Sequence, residues 1–188
     1  MSPAVRRQAR RGEKGAIPGG PIPIVAVLLS TLFLAGPARA EVPERQHLFH
    51  IERSKNANIV QYDAQVAADG KLFRKEPVIG YWVRLAEQGQ VQELNWIQRT
   101  FAYGFKTRLS RDRESAELDM NADVGRAINI VRVGDAYRAT VEIDGTPAFF
   151  DKMYIDAYQK GLSVTVYYVE LYGKDMETGE DRYEKFIP

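Results

Sequence analysis

Residues 41–188 are predicted to form a single all-β domain, mainly an antiparallel barrel or sandwich, with one short α-helix. Apolar residues after position 45 recur mostly with period two, which is the side-chain period of an extended strand. Glycine, asparagine and aspartate separate these runs at the spacing expected of strands joined by turns. Only the segment Gln92–Tyr103 has helical spacing, so we predict one helix.

The first 40 residues have the composition of a cleavable secretion signal. Five basic residues between positions 6 and 14 precede an apolar stretch at 22–34, and Ala38-Arg39-Ala40 resembles a signal-peptidase site. The apolar stretch is shorter than the about 20 residues of a membrane span. We therefore predict that 1–40 is removed, that no stable membrane anchor remains, and that the protein is periplasmic or secreted. An uncleaved anchor is the alternative.

Charge and composition exclude several classes of function. Residues 1–40 hold six of the 26 basic and one of the 25 acidic residues, so the remaining 148 carry 20 basic and 24 acidic side chains, a net charge near −4. Such a domain is poorly suited to nucleic acid, whose phosphates attract basic surfaces. The chain has no cysteine, which excludes disulfides, thiol nucleophiles and thiolate metal sites. No cofactor motif is present, and no cofactor is expected.

The elements follow one another along the chain as short alternating runs. His47–Ser54 and Asn58–Ala64 are predicted to form a first hairpin around a turn at 55–58. In the helical segment Leu94, Ile97 and Phe101 share one face, and Gly104 is predicted to be its left-handed C-cap. Asp144-Gly145 predicts a two-residue hairpin turn. The other predicted strands are Val78–Glu87, Ile128–Val133, Ala136–Ile143, Phe149–Tyr158, Ser163–Tyr172 and Asp181–Ile187.

Several motifs spread over these elements match one known family. They are Phe49-His50-Ile51-Glu52-Arg53-Ser54-Lys55-Asn56-Ala57-Asn58 with Val60, Tyr62 and Asp63, then Pro77-Val78, Tyr81-Trp82, Ala102-Tyr103-Gly104, Tyr172-Gly173-Lys174 and Phe186-Ile187-Pro188. The chain thus resembles an uncharacterised family of exported bacterial proteins, domain of unknown function 4833, over nearly all of 41–188. The resemblance implies no activity.

A histidine and an aspartate in the first hairpin are the candidates for catalysis. If 55–58 is an even-length turn, Ser54 pairs with Ile59 and His50 lies opposite Asp63, about 5 Å away. A carboxylate there would orient the imidazole and raise its pKa, as a general base requires. A purely structural cross-strand pair is the alternative, and no G-x-S-x-G motif supplies a serine nucleophile.

Polar residues at the same hairpin are the candidates for ligand binding. Arg53 shares a strand face with apolar residues, so it requires an acidic partner or an anionic ligand unless it reaches water at the strand end. The predicted ligand-binding set is Arg53, Ser54, Lys55, Asn56, Asn58, Tyr62 and Tyr103. Ordinary turn chemistry is the alternative explanation for its polar members.

Metal sites are predicted to be absent. Asp119, Asn121 and Asp123 begin like a calcium loop, but Val124 replaces the glycine at position six and Ile130 replaces the glutamate at position twelve. His47 and His50 are three residues apart and should point to opposite faces of a regular strand. Neither group therefore predicts a metal centre.

The sequence favours an exported protein that binds a small molecule or another component of the cell envelope. Two alternatives stay open, a hydrolase that uses His50 with Asp63 and a structural assembly partner in the envelope. An enclosed cavity would favour binding, whereas an exposed apolar patch would favour assembly. The oligomeric state is left open by the sequence.

Overall fold

The computed structural model of the protein describes residues 42–121, 125–160 and 163–188, and within these ranges the chain is all-β with one short helix, as predicted. The predicted secretion signal and Asp123 lie outside the described residues. The strands are β1 (Glu44–Arg53), β2 (Asn56–Val66), β3 (Val78–Arg84), β4 (Gln90–Glu93), β5 (Phe105–Leu109), β6 (Ser115–Met120), β7 (Ile128–Val133), β8 (Ala136–Ile143), β9 (Thr146–Lys160), β10 (Ser163–Asp175) and β11 (Asp181–Phe186), and the helix is α1 (Trp96–Phe101).

All the strands belong to one mixed sheet in the order β4-β3-β2-β1-β9-β8-β7-β6-β5, with β10 and then β11 added beside β9. Neighbouring strands are antiparallel except for β1 and β9, which pair in parallel from His50 with Lys152 to Arg53 with Ile155. The long β9 also pairs with β8 and, along 148–160, with β10.

The sheet curls so that its two ends approach each other. Tyr62 on β2 and Phe105 on β5 are far apart in the strand order, yet their ring centroids are 5.7 Å apart. The Tyr62 hydroxyl donates a 2.8 Å hydrogen bond to the carbonyl oxygen of Tyr103, just before β5. Phe49, stacked on Tyr62 at 4.5 Å, and Phe150 help to fill the interior. The result is a half-barrel with an apolar interior and an open seam between β3 and β5.

The first hairpin differs from the predicted register. The turn is the two-residue Ser54-Lys55, with Lys55 at φ 59°, and Arg53 pairs with Asn56. A bulge lies at Leu48, between the pairs His47 with Asp63 and Phe49 with Tyr62. Leu48 and Phe49 are both buried, which a regular strand with alternating faces does not allow. The predicted four-residue turn at 55–58 is therefore wrong.

The region between β3 and β7 also departs from the prediction. The helix is shorter than the predicted segment, and its Ile97 and Phe101 side chains are exposed. No strand was predicted between 105 and 120, where β5 and β6 lie. Gly104 does not have positive φ; a Cβ there would lie 1.6 Å from the carbonyl oxygen of Arg99. Gly104 is thus required by close packing, not by a left-handed cap.

The turn between β8 and β9 has the predicted form. Ile143 pairs with Thr146 across the two-residue turn Asp144-Gly145, whose φ angles are 49° and 72°. These positive angles are typical of a type I′ hairpin. Within the described ranges, none of the helical segments has the length and apolar character needed to cross a bilayer.

Candidate functional site

The outer face of β1 and β2 places a histidine beside an aspartate, but not the predicted histidine. His50 pairs with Gln61, and its Nε2 lies 3.2 Å from Oε1 of Glu52. Asp63 instead faces His47, whose Nδ1 is 3.4 Å from Oδ1. The predicted His50–Asp63 pairing is wrong because the two-residue turn and the irregularity between Ile51 and Arg53 set a register in which His50 pairs with Gln61. The bulge at Leu48 brings the two imidazoles to one face, with ring centroids 6.1 Å apart.

Asp63 is a buried carboxylate whose hydrogen bonds come from three side chains. Burial by itself would raise its pKa, but the bonds from His47, Tyr81 and Gln61 outweigh burial and the pKa is lowered. Burial and the Asp63 charge both raise the pKa of the Tyr81 phenol. Asp63 is therefore ionised at neutral pH and holds the His47 imidazole on the outer face of the sheet.

Polar contacts continue from this pair across the outer face of the sheet. Lys152 on β9 bonds to the Glu52 carboxylate at 3.2 Å and lies over the Tyr172 ring. Tyr172 donates to Glu170, and this bond, with burial, raises the Tyr172 pKa to about 12. Each of these groups has a partner on its own or an adjacent strand. The row is thus suited to stabilising the outer face of the sheet.

The predicted ligand-binding residues of the first hairpin do not converge on one site. Arg53, Ser54, Lys55 and Asn56 line a shallow recess of about 320 Å³ beside Ala157 and Tyr158. The Ser54 hydroxyl donates to the carbonyl oxygen of Ala157 and accepts its N–H, so it ties the hairpin to β9. Tyr62 and Tyr103 lie in the core instead. The predicted set is therefore divided between a surface recess and the interior.

Asn58 lies in a second small recess at one end of the half-barrel. The recess is about 220 Å³ and is lined largely by amide groups. Its residues are Asn56, Asn58, Trp82, Arg84, Gln92, Asn95 and Gln98. The Asn58 Oδ1 atom is buried and accepts no hydrogen bond within the described structure. Asn95 and Gln98 form the capping box of α1, which uses their side-chain oxygens.

The residues of the partial calcium motif have other roles. Asn121 donates a 2.8 Å hydrogen bond from its amide to the carbonyl oxygen of Arg99, which ties the chain after β6 to α1. Asp119 is exposed on β6, opposite Lys106. Among the residues whose positions are described, no three His, Asp or Glu side chains are grouped to hold a metal ion.

A concave feature of about the size of a ligand pocket lies at the seam of the half-barrel, and we call it the seam cleft. It has a volume of about 590 Å³. One wall is formed by 74–81 and the β4–α1 region, and the other by 104–109. The Phe105 ring lines the cleft, and a Cβ at Gly80 would lie 3.4 Å from it and 3.0 Å from the Tyr62 ring, which is fully buried beneath. The alternation of Phe105, Thr107 and Leu109 with polar residues is the sequence pattern that could have predicted the strand of the second wall.

The seam cleft carries more positive than negative side chains. Its cations are Arg45, Arg74, Lys75 and Arg99, and its acids are Glu76 and Glu93. Arg99 is 3.4 Å from Glu93, and Arg45 lies 5.5 Å from the centre of the Tyr81 ring. Arg74 and Lys75 are exposed and have no ion pair within the described ranges. The cleft therefore offers an unbalanced positive charge above an aromatic floor.

Comparison with known proteins identifies a family but no activity. The profile of one family, described as a domain of unknown function (DUF4833), matches residues 49–185. No curated protein and no solved structure shows significant similarity to the chain. The match covers β2 to β10 completely, half of β1 and most of β11, and includes every residue of the seam cleft except Arg45. The chain therefore belongs to the domain of unknown function family DUF4833.

Proposed function

We propose that the protein is an exported binding protein that holds an anionic ligand, a small molecule or a component of the cell envelope, in the seam cleft. The observation that carries this proposal is the position of Arg74 and Lys75, which have no acidic partner among the described residues, beside a cleft of about 590 Å³. A volume of this size is typical of ligand pockets, which combine an apolar floor with a few polar groups.

The charges of the cleft favour an anion over a neutral ligand. Four cations face two acids, and one of those acids, Glu93, already has Arg99 within 3.4 Å. An anion in the cleft would therefore gain attraction from Arg45, Arg74 and Lys75 without displacing a carboxylate from them. Because these side chains are at the surface, we expect the affinity to fall as ionic strength rises.

Calorimetry of the purified protein with citrate as probe and glycerol as neutral control tests this function. The double variant Arg74→Glu/Lys75→Glu should weaken citrate binding by at least about tenfold, which corresponds to about 1.4 kcal/mol. The matched control, Arg53→Glu/Lys55→Glu, makes the same charge change in the first-hairpin recess and should leave binding unaltered.

Two results would overturn the proposal. Loss of citrate binding in the first-hairpin variant alone would move the site to that recess. The second result would come from native mass spectrometry of protein purified from its own compartment. A neutral compound that stays bound in the Arg74→Glu/Lys75→Glu variant would exclude an anionic ligand at the cleft. A bound anion lost from that variant would support the proposal.

A further inference from the structure

In the part of the chain that the structure describes, the two long walls of the seam cleft are strand edges without a partner strand. There β5 is the last strand of the sheet and pairs with β6 alone. β3 pairs with β4 only from Tyr81 to Arg84, so its edge at 78–80 has no neighbouring strand in the described part of the chain. Unpaired strand edges are templates for the addition of a further strand.

The backbone groups of β5 point into the cleft at every second residue. Asn121 donates its N–H to the Gly104 carbonyl oxygen, and Ser110 donates to that of Ser115. Because antiparallel bonding alternates, the even-numbered residues 104–110 bond to the β6 side. The N–H and C=O groups of Phe105, Thr107 and Leu109 are therefore directed at the seam, and these three residues line the cleft.

The same alternation applies to β3 on the opposite wall. The Gln65 N–H donates to the Pro77 carbonyl oxygen across the β2–β3 ladder. Residues 79 and 81 then bond to β2, whereas Val78 and Gly80 direct their backbone groups to the other edge, which is the seam. Gly80 has no side chain to obstruct this edge, and the Phe105 ring covers the core beneath it.

We propose that the ligand of the seam cleft is an extended segment of another polypeptide, with acidic and apolar residues in alternation, which adds as a strand between β3 and β5. This inference rests on the anion-binding function proposed above. An extended chain presents donors and acceptors along both of its edges, so it matches two walls at once. Its apolar side chains face the Phe105 ring, and its carboxylates face Arg74 and Lys75.

The outer edges of β4 and β11 are less suited to this role. Each is the free side of an end strand, so each offers hydrogen bonds along one edge of an added strand only. The seam offers two edges, an aromatic floor and the unpaired cations in one place. Strand addition there would also close the half-barrel and remove both exposed edges.

A set of synthetic peptides of eight residues separates strand addition from simple attraction of charge. The first alternates Val and Glu, the second alternates Val and Lys, and the third is the Val–Glu peptide with N-methyl groups at every second residue. N-methylation keeps the charge and removes the donors along one edge. We expect the Val–Glu peptide to bind, and the other two to bind at least about tenfold more weakly.

Substitutions at Thr107 in the protein test the same backbone hydrogen bonds between β5 and the added strand. Thr107→Pro removes an N–H that faces the seam while leaving the bonds to β6, and a proline is tolerated at such an edge. Thr107→Val removes the hydroxyl but keeps that N–H, and is the matched control. Only Thr107→Pro should weaken Val–Glu binding, and hydrogen exchange of the unaltered protein should slow at Phe105, Thr107 and Gly80 when the peptide is bound.

The outcomes distinguish this inference from the proposed function. Equal binding of the methylated and unmethylated Val–Glu peptides would overturn strand addition but leave anion binding in place. Failure of both citrate and the Val–Glu peptide to bind would overturn both proposals. Slow exchange at the seam amides in a peptide-free dimer would show that a second copy of the chain occupies the seam, which also overturns the inference.

Discussion

The His47 imidazole lies opposite the Asp63 carboxylate across the β1–β2 ladder, with Nδ1 3.4 Å from Oδ1. One extra residue in β1, Leu48, sets this partnership. Leu48 turns inward beside Phe49, and every residue of β1 before it changes its partner on β2 as a result. A bulge of one residue therefore places His47, and not Leu48, opposite the buried Asp63 carboxylate.

A double-mutant cycle should show that Asp63 is coupled to His47 and not to His50. We expect His47→Gln and Asp63→Asn to show a coupling free energy of about 0.5 kcal/mol at pH 5.5, because one side chain of the pair is half exposed. The cycle of His50→Gln with Asp63→Asn should give a value near zero. Urea unfolding measures both, and a larger coupling for His50 would contradict the observed register.

Tyr62→Phe should destabilise the fold by about 1 to 2 kcal/mol. The change removes the hydroxyl that donates to the Tyr103 carbonyl oxygen at 2.8 Å and leaves that oxygen buried without this donor. Tyr158→Phe is the matched control, since Tyr158 is about half exposed, and should leave the denaturation midpoint unchanged. Equal midpoints for both variants would mean that this bond does not hold the two ends of the sheet together.

Gly104→Ala should be more harmful than Gly134→Ala. A Cβ at residue 104 would lie 1.6 Å from the Arg99 carbonyl oxygen and 2.7 Å from the Asn121 amide, so α1 or the chain after β6 must move. We expect a loss of about 3 kcal/mol, at the upper end of overpacking effects. Gly134 has φ 62° and open space around its Cβ position, so its cost is the backbone strain of about 1 kcal/mol. Thermal unfolding ranks the two variants.

Asp175→Asn should destabilise the protein at neutral pH and much less in acid. The Asp175 carboxylate accepts the N–H groups of Thr178 and Glu177 and bonds to Arg182, and these bonds lower its pKa to about 2. A lowered folded-state pKa means that the stabilisation is complete well above the unfolded value, near 4, and is lost as pH falls towards the folded value.

Melting temperatures at several pH values check the Asp175 prediction. The difference between the unaltered protein and Asp175→Asn should be constant above about pH 5 and shrink steadily below about pH 4. Asp135→Asn is a control, because Asp135 is exposed in the turn between β7 and β8. A difference that grows in acid would contradict the assigned role of the Asp175 carboxylate.

The sequence correctly predicted the elements whose form depends only on residues that are neighbours in the chain. The alternation in Ala136–Ile143 and the turn Asp144-Gly145 specify a hairpin by themselves, because positive φ at both turn positions suits these residues. The first hairpin was predicted as a hairpin but with the wrong turn. Ser54-Lys55 lacks the usual glycine, and Lys55 adopts positive φ, so the flanking asparagines gave the stronger but misleading signal.

The missed strands and the seam have a different explanation. β5 alternates half-buried and exposed residues, but its exposed positions are Lys106 and Arg108 and its inner positions include Thr107, so its apolar pattern is weak. Its place beside the Tyr62 ring depends on how the intervening strands twist and curl. The five residues of β5 therefore do not by themselves predict which distant strand they will approach.

From the sequence alone came strands β1–β3 and β7–β11, the single helix, the β8–β9 turn and the family resemblance, because each depends on side chains close together in the chain. Only the tertiary structure decided that His47 is the partner of Asp63 and that Phe105 approaches Gly80. The physical reason is that a bulge and the accumulated curl of a sheet are set by packing between distant segments. The seam cleft between β3 and β5 is the result of that packing.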